Sequence, residues 1–137
     1  MKDVIHYKGG YKYQLVKKYK CKVCIHPIKT LNLKYIRLAT TGTLTIRSGY
    51  AWDGPSGPTI DTKSFMRGSL IHDALYQLLR DSDLPQCYRK QADIELRKTC
   101  LEDGMFSLFA WIVYNMVRVF AGKAASKEMK RKVITAP

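Results

Sequence analysis

Four residues in the second half of the chain have the types and the spacing for acid–base chemistry: His72, Asp73 and Tyr76 in LIHDALYQLL, and Asp93 in RKQADIELRK. Ile71, Ala74, Leu75, Leu78 and Leu79 recur at helical spacing, so the first segment reads as a helix with one buried stripe. On that helix His72 and Tyr76 are i and i+4 and lie one above the other, while Asp73 is turned about 100° away. A carboxylate that reaches one imidazole nitrogen fixes the tautomer and raises the basicity of the other, making a general base for water. Asp93, one position past Ala92 on the next helix, is the candidate for that part, with Tyr76 beside it. Upstream, YAWDGPSGPTID carries Asp53, Gly54, Ser56 and Gly57 in a loop rich in glycine and proline, of the kind that offers free backbone groups to a substrate. Asp73, with Asp53 or loop carbonyls, would suit a hard cation, Ca²⁺ or Mg²⁺, which would polarise a carbonyl or phosphoryl oxygen.

Each of these residues also has a plainer explanation. His72 would hydrogen-bond inside the core, Asp93 would pair with Arg89 one turn earlier, Asp53 would cap its own turn, and Tyr76 would pack with a satisfied hydroxyl. Together those explanations weaken, because several polar groups converging on one glycine loop are costly to bury.

The elements that must position these residues make an α+β chain, an N-terminal antiparallel sheet followed by three packed C-terminal helices. Strand-like alternation covers residues 11–16 and 19–25, and residues 35–39 and 44–48 flank a hairpin turn at Thr40-Thr41-Gly42. Lysines dominate one strand face, which suits a sheet with one side in water. Helix one is expected over residues 65–80 with Thr62 or Ser64 as cap, and helix two over 85–102 with Pro85 in its first turn and Gly104 closing it. Helix three, over 105–122, is apolar nearly all round and reads as the central core helix, with an interfacial anchor as the rival. Its uncharged run, residues 104–117, is too short to cross a bilayer and ends at Arg118, so no transmembrane helix is expected. No linker or repeat separates the halves, so residues 1–137 read as one domain: mainly β over 1–48, a loop over 49–64, helical over 65–122, and a basic tail over 123–137.

A net charge of +13 points to an anionic partner: nucleic acid, anionic lipid, a cell-wall polymer or an acidic protein. The candidate anion contacts are Lys20 and Lys22 on a strand, where interleaved tyrosines would stack bases, and Lys123, Lys127, Lys130, Arg131 and Lys132 after helix three. The opening MKDVIHYKGG has no apolar core of the signal-peptide kind, so four reduced thiols are expected. Cys21 and Cys24, three apart on an expected strand, point to opposite faces and do not read as a zinc pair.

WDGPSGPTID, LIHDALYQLL and RKQADIELRKTCLEDG together resemble an uncharacterised domain family of tailed phages and prophages, with the signature DGxSxP, then HDxLY, then RxxAD. The likeness covers residues 49–122, including YNMVRVFAG, and departs at Gly57-Pro58, where the family pattern has an apolar residue before the proline. It implies a viral or prophage origin, in the host cytoplasm or the virion and with virion proteins among the partners, and supplies no activity. A weaker similarity, of site alone, is to secretory calcium-dependent phospholipases. It would make His72 the water-activating base and Asp73 the metal ligand, with Tyr76 and Asp93 in support and residues 50–57 as carbonyl ligands. The cysteines that brace that helix are absent here, the loop lacks that glycine spacing, and a sheet-first chain is not that layout. The expectation is thus a small phage-associated hydrolase acting on an ester, amide or phosphodiester. The alternative is a non-enzymatic virion component or host-directed binding protein.

Overall fold

The computed structural model describes residues 4–9, 13–54 and 63–127. Antiparallel strands come first and helices follow, so the chain is α+β. The strands form two sheets where a single one was expected. β1 (Tyr7–Lys8), β2 (Tyr13–Leu15) and β7 (Ala51–Trp52) make a small sheet in the order β1-β2-β7. β3 (Tyr19–Lys22), β4 (Leu31–Asn32), β5 (Ile36–Leu38) and β6 (Thr43–Ile46) make a larger one in the order β3-β6-β5-β4. The division has a local cause. β2 runs into β3 and β6 into β7, and both connections break the ladder at the same level, where Gly49 takes φ +96°. Leu15 N–H still donates to the Tyr50 carbonyl and its own carbonyl accepts from Gly49 N–H, and Ser48 Oγ donates to the Val16 carbonyl at 2.7 Å. A residue in the left-handed region bends a strand sharply, and glycine does so without a Cβ penalty.

In the larger sheet the pleat sorts the side chains by face. Tyr19, Ile36, Leu38, Leu44 and Ile46 are buried, while Lys20, Lys22 and Arg37 are exposed. The hairpin at Thr40-Thr41-Gly42 forms as expected, with Ala39 bonded to Thr43 and Gly42 at φ +88°. β3 stops at Lys22, short of the expected run to Ile25, although burial goes on alternating through Val23, Cys24 and Ile25.

The helices are α1 (Lys63–Asp81), α2 (Arg89–Glu102), α3 (Ser107–Phe120) and the short α4 (Gly122–Ala125). Helix one therefore begins before Ser64, which sits inside its first turn, and the other expected cap, Thr62, lies outside the described residues. Pro85 precedes a single 3₁₀ turn (Gln86–Tyr88) instead of entering α2 itself. Gly104 closes α2 with φ +96°.

The central helix is α1, and this corrects the expectation for helix three. Leu70, Ala74, Leu75, Leu78 and Leu79 are fully buried in a core shared with both sheets, and each such leucine stabilises the fold by roughly 1.5–3 kcal/mol. α2 lies so close to α1 that a Cβ on Gly68 would stand 2.7 Å from Cys100 Sγ. By contrast α3 buries only Ala110 and Val113, and Leu108, Trp111, Val119 and Phe120 face outward. Uniform apolarity ordinarily marks a buried helix. Here the buried position went to the helix whose polar residues, Arg67, Ser69 and His72, all find partners inside.

Candidate functional site

Two helices deliver the expected residues to one place, and a third adds Arg118. α1 presents His72 and Tyr76 from consecutive turns, their rings 4.1 Å apart, and α2 brings Asp93 in from Ala92's edge with no exposed surface of its own. His72 Nε2 lies 2.7 Å from Asp93 Oδ1, and the Tyr76 hydroxyl donates to the same oxygen at 2.6 Å. The other oxygen, Oδ2, accepts from Arg118 Nη1 of α3 at 2.8 Å. Arg89 is not the partner of Asp93. Its Nε donates to the Tyr76 hydroxyl at 3.1 Å, and its Nη2 closes the end of α3 on the carbonyls of Val117 and Arg118.

Charge follows from this geometry. Burial works to raise the Asp93 carboxyl, but hydrogen bonds from His72, Tyr76 and Arg118 outweigh it and hold the group below its ordinary range. An ionised carboxylate only accepts, so Nε2 of His72 must carry the proton and Nδ1 is left with the lone pair. That Nδ1 lies 3.8 Å from Asp73 Oδ1. Burial favours a neutral imidazole, yet the carboxylates of Asp73 and Asp93 prevail and hold His72 above its usual value. Asp73 moves upward, chiefly through burial, with His72 opposing and the negative charge of Asp53 adding to the rise. Burial and the Asp93 charge likewise keep the Tyr76 phenol protonated.

His72, Asp73 and Tyr76 also line a cavity of about 140 Å³. Ser69 and Gly54 stand on its wall, and Phe65, Leu96, Val113 and Met116 make much of the rest apolar. Gly54 takes φ +81°, and a Cβ there would meet the Tyr13 ring at 2.4 Å, so only glycine brings the loop this close. Ser69 Oγ is already engaged: it donates to the Met66 carbonyl and accepts from Trp52 Nε1. It is therefore not poised as a nucleophile.

The other expected residues are distributed as follows. Asp53 is near enough to Asp73 to shift it, while Ser56 and Gly57 lie outside the described residues. Among the described residues no group of three or more His, Cys, Asp or Glu side chains is arranged to hold a metal ion. Lys20 and Lys22 are exposed on β3, but Tyr19 beside them is buried and its hydroxyl accepts from Arg67, so that tyrosine and those lysines occupy opposite faces. Lys123 is exposed. Lys127 instead turns its ammonium onto the last carbonyls around α1, Leu79 and Ser82, where it does the work of a cap. Lys130, Arg131 and Lys132 lie outside the described residues. All four cysteines are free, with Cys24 and Cys87 exposed and Cys100 buried.

Sequence reasoning missed Arg118 as a partner of Asp93 and offered Arg89 for that part instead. Arg118 did carry a signal: it is the one charged residue of α3, and a half-buried cation favours a carboxylate within reach. It also missed Arg67, which ties α1 to the far end of α2 through Glu102 and Asp103. No helix among the described residues is long and apolar enough to cross a membrane. Comparison with known proteins finds no family model, no curated protein and no solved structure that matches this chain.

Proposed function

We propose that the chain is a small hydrolase in which His72 activates water for attack on an ester, amide or phosphodiester. One observation carries this reading: the imidazole is oriented by an ionised, fully buried carboxylate at 2.7 Å while its ring borders a cavity. In the reaction Nδ1 takes a proton from water, and the oxygen forms a bond to the carbonyl carbon or phosphorus. Collapse then breaks the bond to the leaving group, which departs with the proton returned from Nδ1. Asp93 stabilises the transient imidazolium, and Tyr76 and Arg118 hold Asp93 in place. The cavity is close in size to one that admits a benzene ring, so the group beside the scissile bond is small, and the lining favours an apolar one. A divalent cation held by Asp73 and Asp53 would supply electrophilic assistance. On the resemblance to tailed-phage proteins, such an enzyme would act in an infected host's cytoplasm or in a virion.

A panel of nitrophenyl esters, an anilide and a nitrophenyl phosphodiester tests the reading, with and without EDTA. His72→Gln should lower turnover by about 10²–10⁴-fold while the circular dichroism spectrum is retained. A folded variant that keeps its turnover, or a native chain that cleaves none of the panel, sinks it. The rival, a binding protein in which the same network only fastens helices, draws on the completeness with which Asp93 is hydrogen-bonded. It predicts the second of those results.

A further inference from the structure

The outward face of α3 is an extended feature that the site does not use. Leu108, Ile112 and Val119 follow one another along the helix at helical spacing, with Trp111 on one flank and Phe109 and Phe120 on the other. All six are exposed, Phe120 at 77% and Trp111 at 51%. Plotted at 100° per residue they cover about half of the helix circumference, with Asn115 and the half-buried Met116 falling inside the arc. Of the buried positions, Ala110 lies on the opposite side and Val113 at the edge of the arc beside Phe120. An apolar stretch of this size stays uncovered in a monomer only when something else covers it in use.

Charge says what covers it. No acidic residue occurs from Gly104 through Lys127. The face ends at exposed Lys123, and the sequence beyond holds Lys130, Arg131 and Lys132 against a single acid, Glu128. A second copy of the chain would bring two bodies of +13 together. A surface that is apolar beneath and negatively charged on top satisfies both properties at once, and a tryptophan at the edge of the apolar band suits the headgroup boundary. We infer that α3 is an interfacial helix, lying in the plane of an anionic membrane with Leu108, Trp111, Ile112, Val119 and Phe120 in the headgroup–acyl boundary and Lys123 against the lipid headgroups. This does not rest on hydrolysis at His72. A membrane-bound chain without turnover, or an active chain that ignores vesicles, would separate the two.

The experiment is co-sedimentation of the full chain with vesicles of phosphatidylcholine alone and of phosphatidylcholine with 30% phosphatidylglycerol, followed in parallel by tryptophan emission. Binding is expected to the anionic vesicles, to weaken with salt, and to shift the emission of Trp111 to the blue, because Trp52 is already buried. Trp111→Ser with Phe120→Ser, both on the exposed side, should lower the partition at least ten-fold at unchanged melting temperature. Lys123→Gln alone should lower it about five-fold. Equal binding to both vesicle types, no binding to either, or a dimer in light scattering that the double substitution abolishes would each overturn the inference.

Discussion

Replacing Asp93 by asparagine tests the geometry of the network most directly, because it keeps the shape and removes the charge. Asp93 accepts from His72 and Tyr76 on Oδ1 and from Arg118 on Oδ2, at 2.6–2.8 Å, with nothing exposed to water. An asparagine oxygen can keep two of these donors, but its amide then points N–H groups at the third. Breaking a buried charge pair costs about 3–5 kcal/mol, and Arg118, 30% exposed, can recover some hydration, which sets the cost near the lower end. At roughly 3 °C per kcal/mol for a chain of this size, the melting temperature should fall by about 10 °C at pH 7. The sign with pH is determined as well. A carboxyl lowered in the folded state contributes stability that is present above its unfolded value and lost as pH falls through the folded one, so the native–variant gap should close in acid. The same substitution removes one of the two carboxylates that raise His72, so the His72 midpoint, followed by ¹H–¹⁵N NMR of the ring, should drop from its position above 6.5. A variant melting within about 2 °C of the native chain, or an unmoved imidazole midpoint, would refute the account of Asp93 as the orienting carboxylate.

Other outcomes follow from the same structure. If neutral His72 is the base, kcat/KM should rise with pH to a half-maximum above 6.5, since the folded group is raised; a midpoint at or below 6.5 contradicts this. The stability that His72 contributes runs the opposite way, complete below its unfolded value and lost as pH rises through the folded one. Gly68→Ala should destabilise by about 1–3 kcal/mol, because the added methyl meets Cys100 Sγ and the Leu96 carbonyl, and Cys100→Ala should relieve part of that in a denaturant titration of the double variant. With a thiol reagent Cys24 and Cys87 should react promptly. Cys100, buried and with its thiol pushed up to about 12, should react only on unfolding, and prompt labelling of it would contradict the packing of α1 on α2.

The class of fold and the convergence of His72, Tyr76 and Asp93 were legible in the chain because both depend on local periodicity. The i, i+4 relation put the ring and the phenol on one face, and the position beside Ala92 put the carboxylate at the edge of α2's apolar stripe. What periodicity cannot tell is which of two apolar helices the rest of the molecule closes around. α3 is the more apolar in sequence, yet α1 is the one buried, because Arg67, Ser69 and His72 each meet a partner from another element. Such partners are distant in sequence and leave no pattern. The division of the strands into two sheets was illegible for a similar reason: alternation lapses at Lys17-Lys18 and Gly49 lies opposite in the ladder, but which sheet each run joins depends on partners distant in sequence. Arg89 misled because a one-turn spacing to Asp93 is the obvious pairing. The carboxylate took a cation from a third helix, and Arg89 was left to hold Tyr76 and the end of α3.

The two oxygens of Asp93 thus serve two ends that cannot be tuned separately. Oδ1 faces the ring that would do the chemistry, and Oδ2 faces the arginine that fastens the outer helix. A carboxylate used only as a fastener would be well replaced by apolar side chains of matching shape, since buried ion pairs seldom add net stability. The presence of a second donor-rich ring at the same atom, on the wall of a cavity and not within solid packing, is what that economy leaves unexplained. An oriented base explains it. The charge that Arg118 helps to keep on Asp93 is the charge that an imidazole needs nearby when it takes a proton from water.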